Sequence, residues 1–316
     1  MRVLITGSSG MLGQALCRKL APEHEVVGID VREPIAHPAP FTSFRCGAGS
    51  PKPTAFHKLD LTDRVLALQK IKQISPDITI HCAAYTDVDG CELNPEKAHN
   101  LNTQATAIIA EGCKLASSSM IYISTDFVFD GEKASPYSEQ DMPNPISIYG
   151  KTKLAGENAV RGELDNYLII RTSWLFGAGG RNFVEAILEK AKTQKRIKVV
   201  NDQVGSPTYA VDLAKAIADI VDSYQLTTNQ LTNSRILNVT NSGSCSWYEF
   251  AKEIVNQAGK EDIKVIPISS DQLDRPAKRP KMSILDNTLF FKIHGSSLAD
   301  WKDALTRYLR ERKKNL

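Results

Sequence analysis

The residues MRVLITGSSGMLG (1–13) carry the fold: an apolar run is followed at once by glycines at positions 7, 10 and 13. A strand turning sharply into a helix needs those positions free of side chains. Gly7 allows the tight turn, Gly10 lets the backbone approach a pyrophosphate, and Gly13 lets helix and strand pack closely. A diphosphate at this turn meets the unpaired N–H groups of a helix N-terminus. The triplet alone is weak, and its strand–turn–helix setting gives it weight. Asp30 closes the next apolar run, EVVGID, 23 residues beyond Gly7, near the roughly 20-residue spacing of a carboxylate that binds adenosine ribose hydroxyls. That favours NADH, while Arg32 can accept a 2′-phosphate and keeps NADPH open.

Outward from this start, short apolar runs alternate with amphipathic stretches: MLGQALCRKLA, VLALQKIKQI, DITIHCAA, AHNLNTQATAIIAEGCKLA, SMIYIST, YGKTKLAGE and YLIIRTSW. Strands apolar along their whole length, alternating with helices, predict an α/β, Rossmann-type doubly wound parallel sheet covered on both faces. After Trp174 helical segments dominate (NFVEAILEKAK, DLAKAIADIVDSY, SWYEFAKEIVNQAG, SSLADWKDALTRYL), predicting a smaller, mostly helical C-terminal substrate domain. The expected division is 1–173 with 209–238 for the NAD(P)-binding domain, and 174–208 with 239–316 for the substrate-binding domain. The proline-rich stretch 33–56 reads as an exposed loop.

Composition narrows the function. With 39 basic against 36 acidic residues the net charge is only +3, so neither nucleic acid nor an anionic membrane is an expected partner. The first strand begins at Met1, leaving no room for a cleaved leader, and no window approaches the roughly 20 apolar residues of a membrane span. A cytoplasmic protein is expected. Six cysteines lie scattered with no C-x-x-C pair, and six histidines form no ligand-spaced cluster, so neither disulfides nor a metal are expected.

The strand SMIYIST brings Ser124 and Thr125 to the carboxyl edge of the sheet, where open α/β folds bind ligands. Tyr149 and Lys153 follow in YGKTK at i and i+4, on one helical face. A ketone receiving hydride develops alkoxide charge and needs an acid within reach and a fixed donor to orient it. Tyr149 suits the acid. Lys153, one turn away, is expected to lower the phenol's pKa and to hold the nicotinamide ribose, while Thr125 bonds the carbonyl oxygen.

Together GSSGMLG, LDLTD, HCAAYTDVDGCE, STDFVFDG, YGKTKLAGE, RTSWLFG, DQVGSPTYAVDLA, SWYEFA and RPAKRPKMSILD resemble, in order and over nearly the whole chain, the extended short-chain dehydrogenase/reductase family and, within it, the dTDP-4-dehydrorhamnose reductases. The resemblance implies that Thr125, Tyr149 and Lys153 are the catalytic set. It implies that Met11, Leu12, Asp30, Asp60, Leu61, Ala83, Ala84 and Tyr85 line the cofactor, NADPH or NADH, with the glycine loop. Thr86, Val88, Asp89, Asp126, Phe127 and Trp174 would face a sugar-nucleotide substrate. Asp60 is also suited to accepting from an adenine amino group, or to capping the following helix. Two positions depart from the family: Gly90 stands where Lys is frequent and Phe127 where Tyr is frequent, and both remove polar groups near the sugar. The Thr125-Asp126-Phe127 run lacks the glutamate base of the related 4,6-dehydratases, so plain reduction is preferred to elimination. The stretch 275–281, RPAKRPK, suits a diphosphate or a solvated turn. Asn238 and Asn241 read as turn or cap residues. A related sugar-nucleotide epimerase, and a non-catalytic regulatory subunit of methionine adenosyltransferase, are the alternatives. Some relatives dimerise, so a homodimer is also an expectation.

Overall fold

The apolar runs become strands β1 (Arg2–Thr6), β2 (Glu25–Asp30), β3 (Ala55–Lys58), β4 (Ile78–His81), β5 (Ser119–Thr125) and β6 (Tyr167–Thr172) in a computed structural model that describes residues 1–33, 55–223 and 235–314. With the strand Ile236–Asn238 they form one seven-stranded sheet in the order β3, β2, β1, β4, β5, β6, 236–238. Every neighbouring pair is parallel. The direction of winding reverses between β1 and β4, which opens a crevice beyond the carboxyl ends of these strands.

Successive side chains of a strand point to opposite faces, and both faces here are covered. On one, Val3, Ile5, Ile80, Ile121 and Leu168 pack against Leu16 and Leu20 of helix Met11–Leu20 and Leu213 and Ile217 of helix Ala210–Asp222. On the other, Leu4, Ile29, Met120, Tyr122 and Ile169 meet Ile71, Ile109 and Val160. Double coverage explains why the strands read as unbroken apolar runs rather than alternating ones.

A further apolar cluster joins Phe176, Ile187, Phe250, Trp301 and Leu305, from helices Phe183–Thr193, Trp247–Gln257 and Trp301–Lys314. Arg307 clamps Asp212 with two bonds of 2.6 Å, tying the last helix to the helix that covers β1. This part also holds strands, including a parallel pair, Arg196–Val200 with Lys264–Ile268. Strands this short, with Arg196 and Lys198 exposed between buried Ile197, Val199 and Val200, leave little periodicity to read.

Three sequence readings change. Strand β3 begins inside the stretch read as loop, and 34–54 of that stretch, with Cys46, lies outside the described residues, as does 224–234. Asn238 is not a turn residue: fully buried, it donates to the carbonyls of Tyr137 at 2.8 Å and Asp286 at 3.3 Å. Asn241 likewise cross-links buried backbone, accepting from the Tyr209 N–H at 2.8 Å and donating to Asp212 and the Ala299 carbonyl.

The glycines divide by surroundings. A Cβ on Gly13 would lie 2.2 Å from the Gly7 carbonyl oxygen, whereas one on Gly162 meets nothing within 4 Å. Gly13→Ala is therefore expected to lower the melting temperature and weaken dinucleotide binding. Gly162→Ala, in helix Ile148–Glu163, is expected to add about 0.4–1 kcal/mol of stability, both read by thermal and urea melts.

Candidate active site

The glycine loop forms the floor of the crevice. Gly7 has φ +68°, a conformation that favours glycine, and a Cβ there would sit 2.6 Å from the Ala83 nitrogen. Gly10 is the N-cap of helix Met11–Leu20 and has no side chain to cap it, so the first-turn N–H groups are left for an anion. Asp30 is buried at the end of β2. Its carboxylate accepts from the N–H of Ser9 at 3.0 Å and of Arg32 at 2.9 Å, which locks the loop to β2. The Arg32 guanidinium stands 3.7 Å from the same carboxylate and is largely exposed. Asp60, exposed after β3, accepts from both the N–H and the hydroxyl of Thr62; the cap of the next helix is Asp63 instead. An open cleft of about 570 Å³ runs from Asp60 and Thr62 past Leu93, Lys97 and Asn100. Leu61 is buried beneath it, and Ala83, Ala84 and Tyr85 are partly exposed after β4. A glycine cradle with an uncapped helix end, followed by carboxylates on two successive strand ends, fits a dinucleotide.

Thr125 ends β5 at the same edge. Its hydroxyl donates to Asp126 at 3.1 Å, accepts from the Phe127 N–H at 3.2 Å and lies next to the Tyr149 phenol. Ser147 caps the helix that carries Tyr149 and Lys153 by accepting from the Gly150 N–H. Burial pushes the Tyr149 phenol well above its ordinary pKa, Thr125 opposes this, and the Asp126 carboxylate adds to it. Burial, rather than the Lys153 cation, dominates the phenol's pKa in this structure. Lys153 is turned under the helix instead, with its Nζ 2.7 Å from the Ile123 carbonyl and 4.1 Å from the centre of the Tyr122 ring. Burial pulls its own pKa down to about 7, and Glu157 opposes that.

The residues expected to face a sugar nucleotide separate into groups. Val88 and Phe127 pack with Ile148 and Tyr149 around buried Cys91, the Phe127 ring edge-on to Tyr149 at 5.5 Å. Asp126 is buried, and desolvation raises its pKa to about 7 against the bond from Thr125 and the nearby Ser283. Thr86 is exposed. Asp89 is gripped by both terminal nitrogens of Arg279, at 3.0 and 2.7 Å, so part of 275–281 is committed to protein rather than free for phosphate. Trp174 lies flat on Trp247, ring centres 3.4 Å apart and planes 5° apart, at a backbone φ of +46°. That strained conformation costs an estimated ~1–3 kcal/mol and persists only where packing enforces it. At Gly90 a Cβ would fall 2.2 Å from the Tyr85 hydroxyl oxygen and 2.5 Å from Asp87, so those two side chains fill the space a larger residue would need.

Sequence reasoning missed Asn102. Fully buried, it accepts from the Tyr85 N–H at 2.7 Å and donates to the Tyr85 carbonyl and the Thr152 hydroxyl. It joins the loop after β4 to the helix of Tyr149. The only available signal was an uncharged polar residue in an otherwise apolar-faced helix.

The fold and this constellation define an extended short-chain dehydrogenase/reductase. Residues 1–314 match the RmlD substrate binding domain family, and the chain belongs to that family. It is 33% identical over 312 residues to the spore coat polysaccharide biosynthesis protein SpsK of Bacillus subtilis, covering 98% of both chains. It is 31% identical over 316 residues to the dTDP-4-dehydrorhamnose reductase of Escherichia coli, again over 98% of each. Among solved structures, the dTDP-4-dehydrorhamnose reductase of Bacillus anthracis in complex with NADP superposes with a TM-score of 0.83 at 35% identity, over 98% of this chain and 99% of that one. The Clostridium acetobutylicum reductase gives a TM-score of 0.85 at 36% identity, over 99% and 100%. Among the described residues no helix is long and apolar enough to cross a membrane.

Replacing Asn102 with alanine leaves the Tyr85 N–H and carbonyl without their partner. The expected cost is about 1–3 kcal/mol of stability in urea unfolding, with weaker NADPH binding in a fluorescence titration.

Proposed function

We propose that this chain is an NAD(P)H-dependent oxidoreductase that reduces the C4 ketone of dTDP-4-dehydro-6-deoxy-L-mannose to give dTDP-L-rhamnose. The observation that carries the reading is the placement of the Thr125 hydroxyl next to the Tyr149 phenol at the strand edge, one helical turn from buried Lys153 and beside the glycine cradle. The reductases named among the relatives support it over the regulatory-subunit alternative, and the NADP complex of the Bacillus anthracis relative supports the cofactor.

Gly7, Gly10 and Gly13 with the first-turn N–H groups of Met11 and Leu12 would hold the pyrophosphate, Asp30 or Arg32 the adenosine ribose, and Asp60 the adenine. When bound, the dinucleotide supplies the hydride. Thr125 orients the ketone by donating to its oxygen, and Tyr149 gives that oxygen its phenolic proton. Burial keeps the phenol protonated at neutral pH, so Tyr149 holds the proton to be given, at the cost of weaker acidity. The Lys153 charge then stabilises the phenolate left behind. Phe127 offers no base for elimination, and its ring with Val88 gives an apolar wall beside Tyr149. Residues 174–208 and 239–316 would hold the sugar nucleotide, with exposed Arg275 as the diphosphate ligand, since Arg279 is spent on Asp89.

Tyr149→Phe is expected to abolish oxidation of NADPH by the sugar nucleotide, a loss of 10²-fold or more, while leaving NADPH affinity within a few-fold of the parent chain. Retention of most of the rate would remove Tyr149 as the acid.

A further inference from the structure

Two motif residues have no part in the reaction so far: the closing glutamate of YGKTKLAGE and the arginine inside YLIIRTSW. The structure brings them together. Glu157 is fully buried one turn beyond Lys153, and Arg171, buried in β6, holds it with two bonds, Nε to Oε1 at 2.9 Å and a terminal nitrogen to Oε2 at 2.7 Å. The hydroxyl of Ser124, directly before Thr125, donates to the same Oε1 at 2.5 Å. A carboxylate deep in a fold carries a large desolvation cost, and a pair like this often adds little to stability compared with apolar residues. Its position is the informative fact: it is the anion on the Lys153 side of the helix, adjoining the strand end that presents Thr125.

We infer that Glu157 is a positioning residue that keeps Lys153 in its ammonium form beside the dinucleotide, with Arg171 and Ser124 fixing the carboxylate for that task. The inference rests on the proposed role of Lys153. The other groups around Lys153 do not supply the missing anion. From β4, His81 is held neutral by burial between the hydroxyls of Thr6 and Thr106, its pKa pushed down to about 3. The neighbouring Cys82 thiol is held protonated by burial. From β5 come the Tyr122 ring, its phenol kept neutral by burial, and the Ile123 carbonyl. From the same helix comes the Tyr149 phenol, also neutral. Asp126 is buried beyond Tyr149 with its pKa raised to about 7, and Arg171 is cationic. Glu157 opposes the desolvation that draws Lys153 towards its neutral form.

The sign follows from Lys153 being the charged partner at low pH. Its cation is present below the folded-state pKa and is lost as pH rises through it, so NADPH affinity should fall along an alkaline limb starting near neutrality. Removing Glu157 moves that limb to lower pH, by about one unit for an opposite charge at close range. The measurement is NADPH fluorescence titration from pH 5.5 to 9, alongside pH–rate profiles on the sugar nucleotide. Glu157→Gln alone strands the Arg171 charge, so the decisive comparison is Glu157→Gln with Arg171→Met against Arg171→Met alone, each checked for folding by urea melts. Expected is about tenfold weaker NADPH binding at pH 8 with little change at pH 5.5, restoration of the parent limb by Glu157→Asp, and an unmoved limb in Ser124→Ala. A folded double variant whose limb coincides with that of Arg171→Met makes Glu157 a structural brace and overturns the inference. If the parent chain has no limb, or Lys153→Met binds NADPH equally well at all pH values, the role of Lys153 itself fails and the inference falls with it.

Discussion

Exclusion of water from the helix–sheet seam around Lys153 and Tyr149 is the constraint on which the site depends. A charge in that seam loses its hydration, which disfavours ammonium and phenolate alike. Tyr149 answers by holding its proton, with the Thr125 hydroxyl beside it. Lys153 is compensated by three different groups: a carbonyl, a ring face and a carboxylate one turn away. The same low polarity that makes these charges costly makes each interaction with a developing alkoxide stronger than it would be in water. The proposed acid, cation and orienting hydroxyl are therefore in place before any substrate arrives.

That seam lies where it does because of the sheet. Strand order reverses between β1 and β4, so loops after β1, β2, β4 and β5 converge on one edge. Two small devices hold them in register. Asp30 bonds the glycine loop to the end of β2, and Asn102 bonds the loop after β4 to the helix of Tyr149. Both use a short polar side chain against backbone groups, which fixes position with little freedom to reorganise. The Asp89–Arg279 bridge joins the opposite rim of the crevice to the segment before the last helices, bringing residues 190 positions apart to one place.

Much of the fold was readable because β1, β2 and β4 to β6 are buried on both sides, and such strands leave unbroken apolar runs between amphipathic helices. The short strand pairs after Trp174 were not readable, since two to five residues at a half-exposed edge carry no clear period. At the site, the strand end singled out Thr125 and the i, i+4 spacing put Tyr149 and Lys153 on one helical face, which is where they lie. Spacing does not fix where a long side chain ends, so the inward turn of Lys153 escaped the sequence reading. Arg171 was the missed clue of another kind: a charged residue inside an apolar strand demands a buried partner, and Glu157 was already present in the quoted motif. The capture of Asp89 depends on Arg279, which no local pattern connects to it.

The most direct test of the central claim is a crystal structure of the chain soaked with NADPH and dTDP. The account predicts the pyrophosphate against the N–H groups after Gly10, and the nicotinamide ring at the carboxyl ends of β4 and β5 with its reactive carbon facing the Tyr149 hydroxyl. A nicotinamide ring bound elsewhere, or turned so that Thr125 and Tyr149 face its carboxamide edge or open solvent, would contradict it.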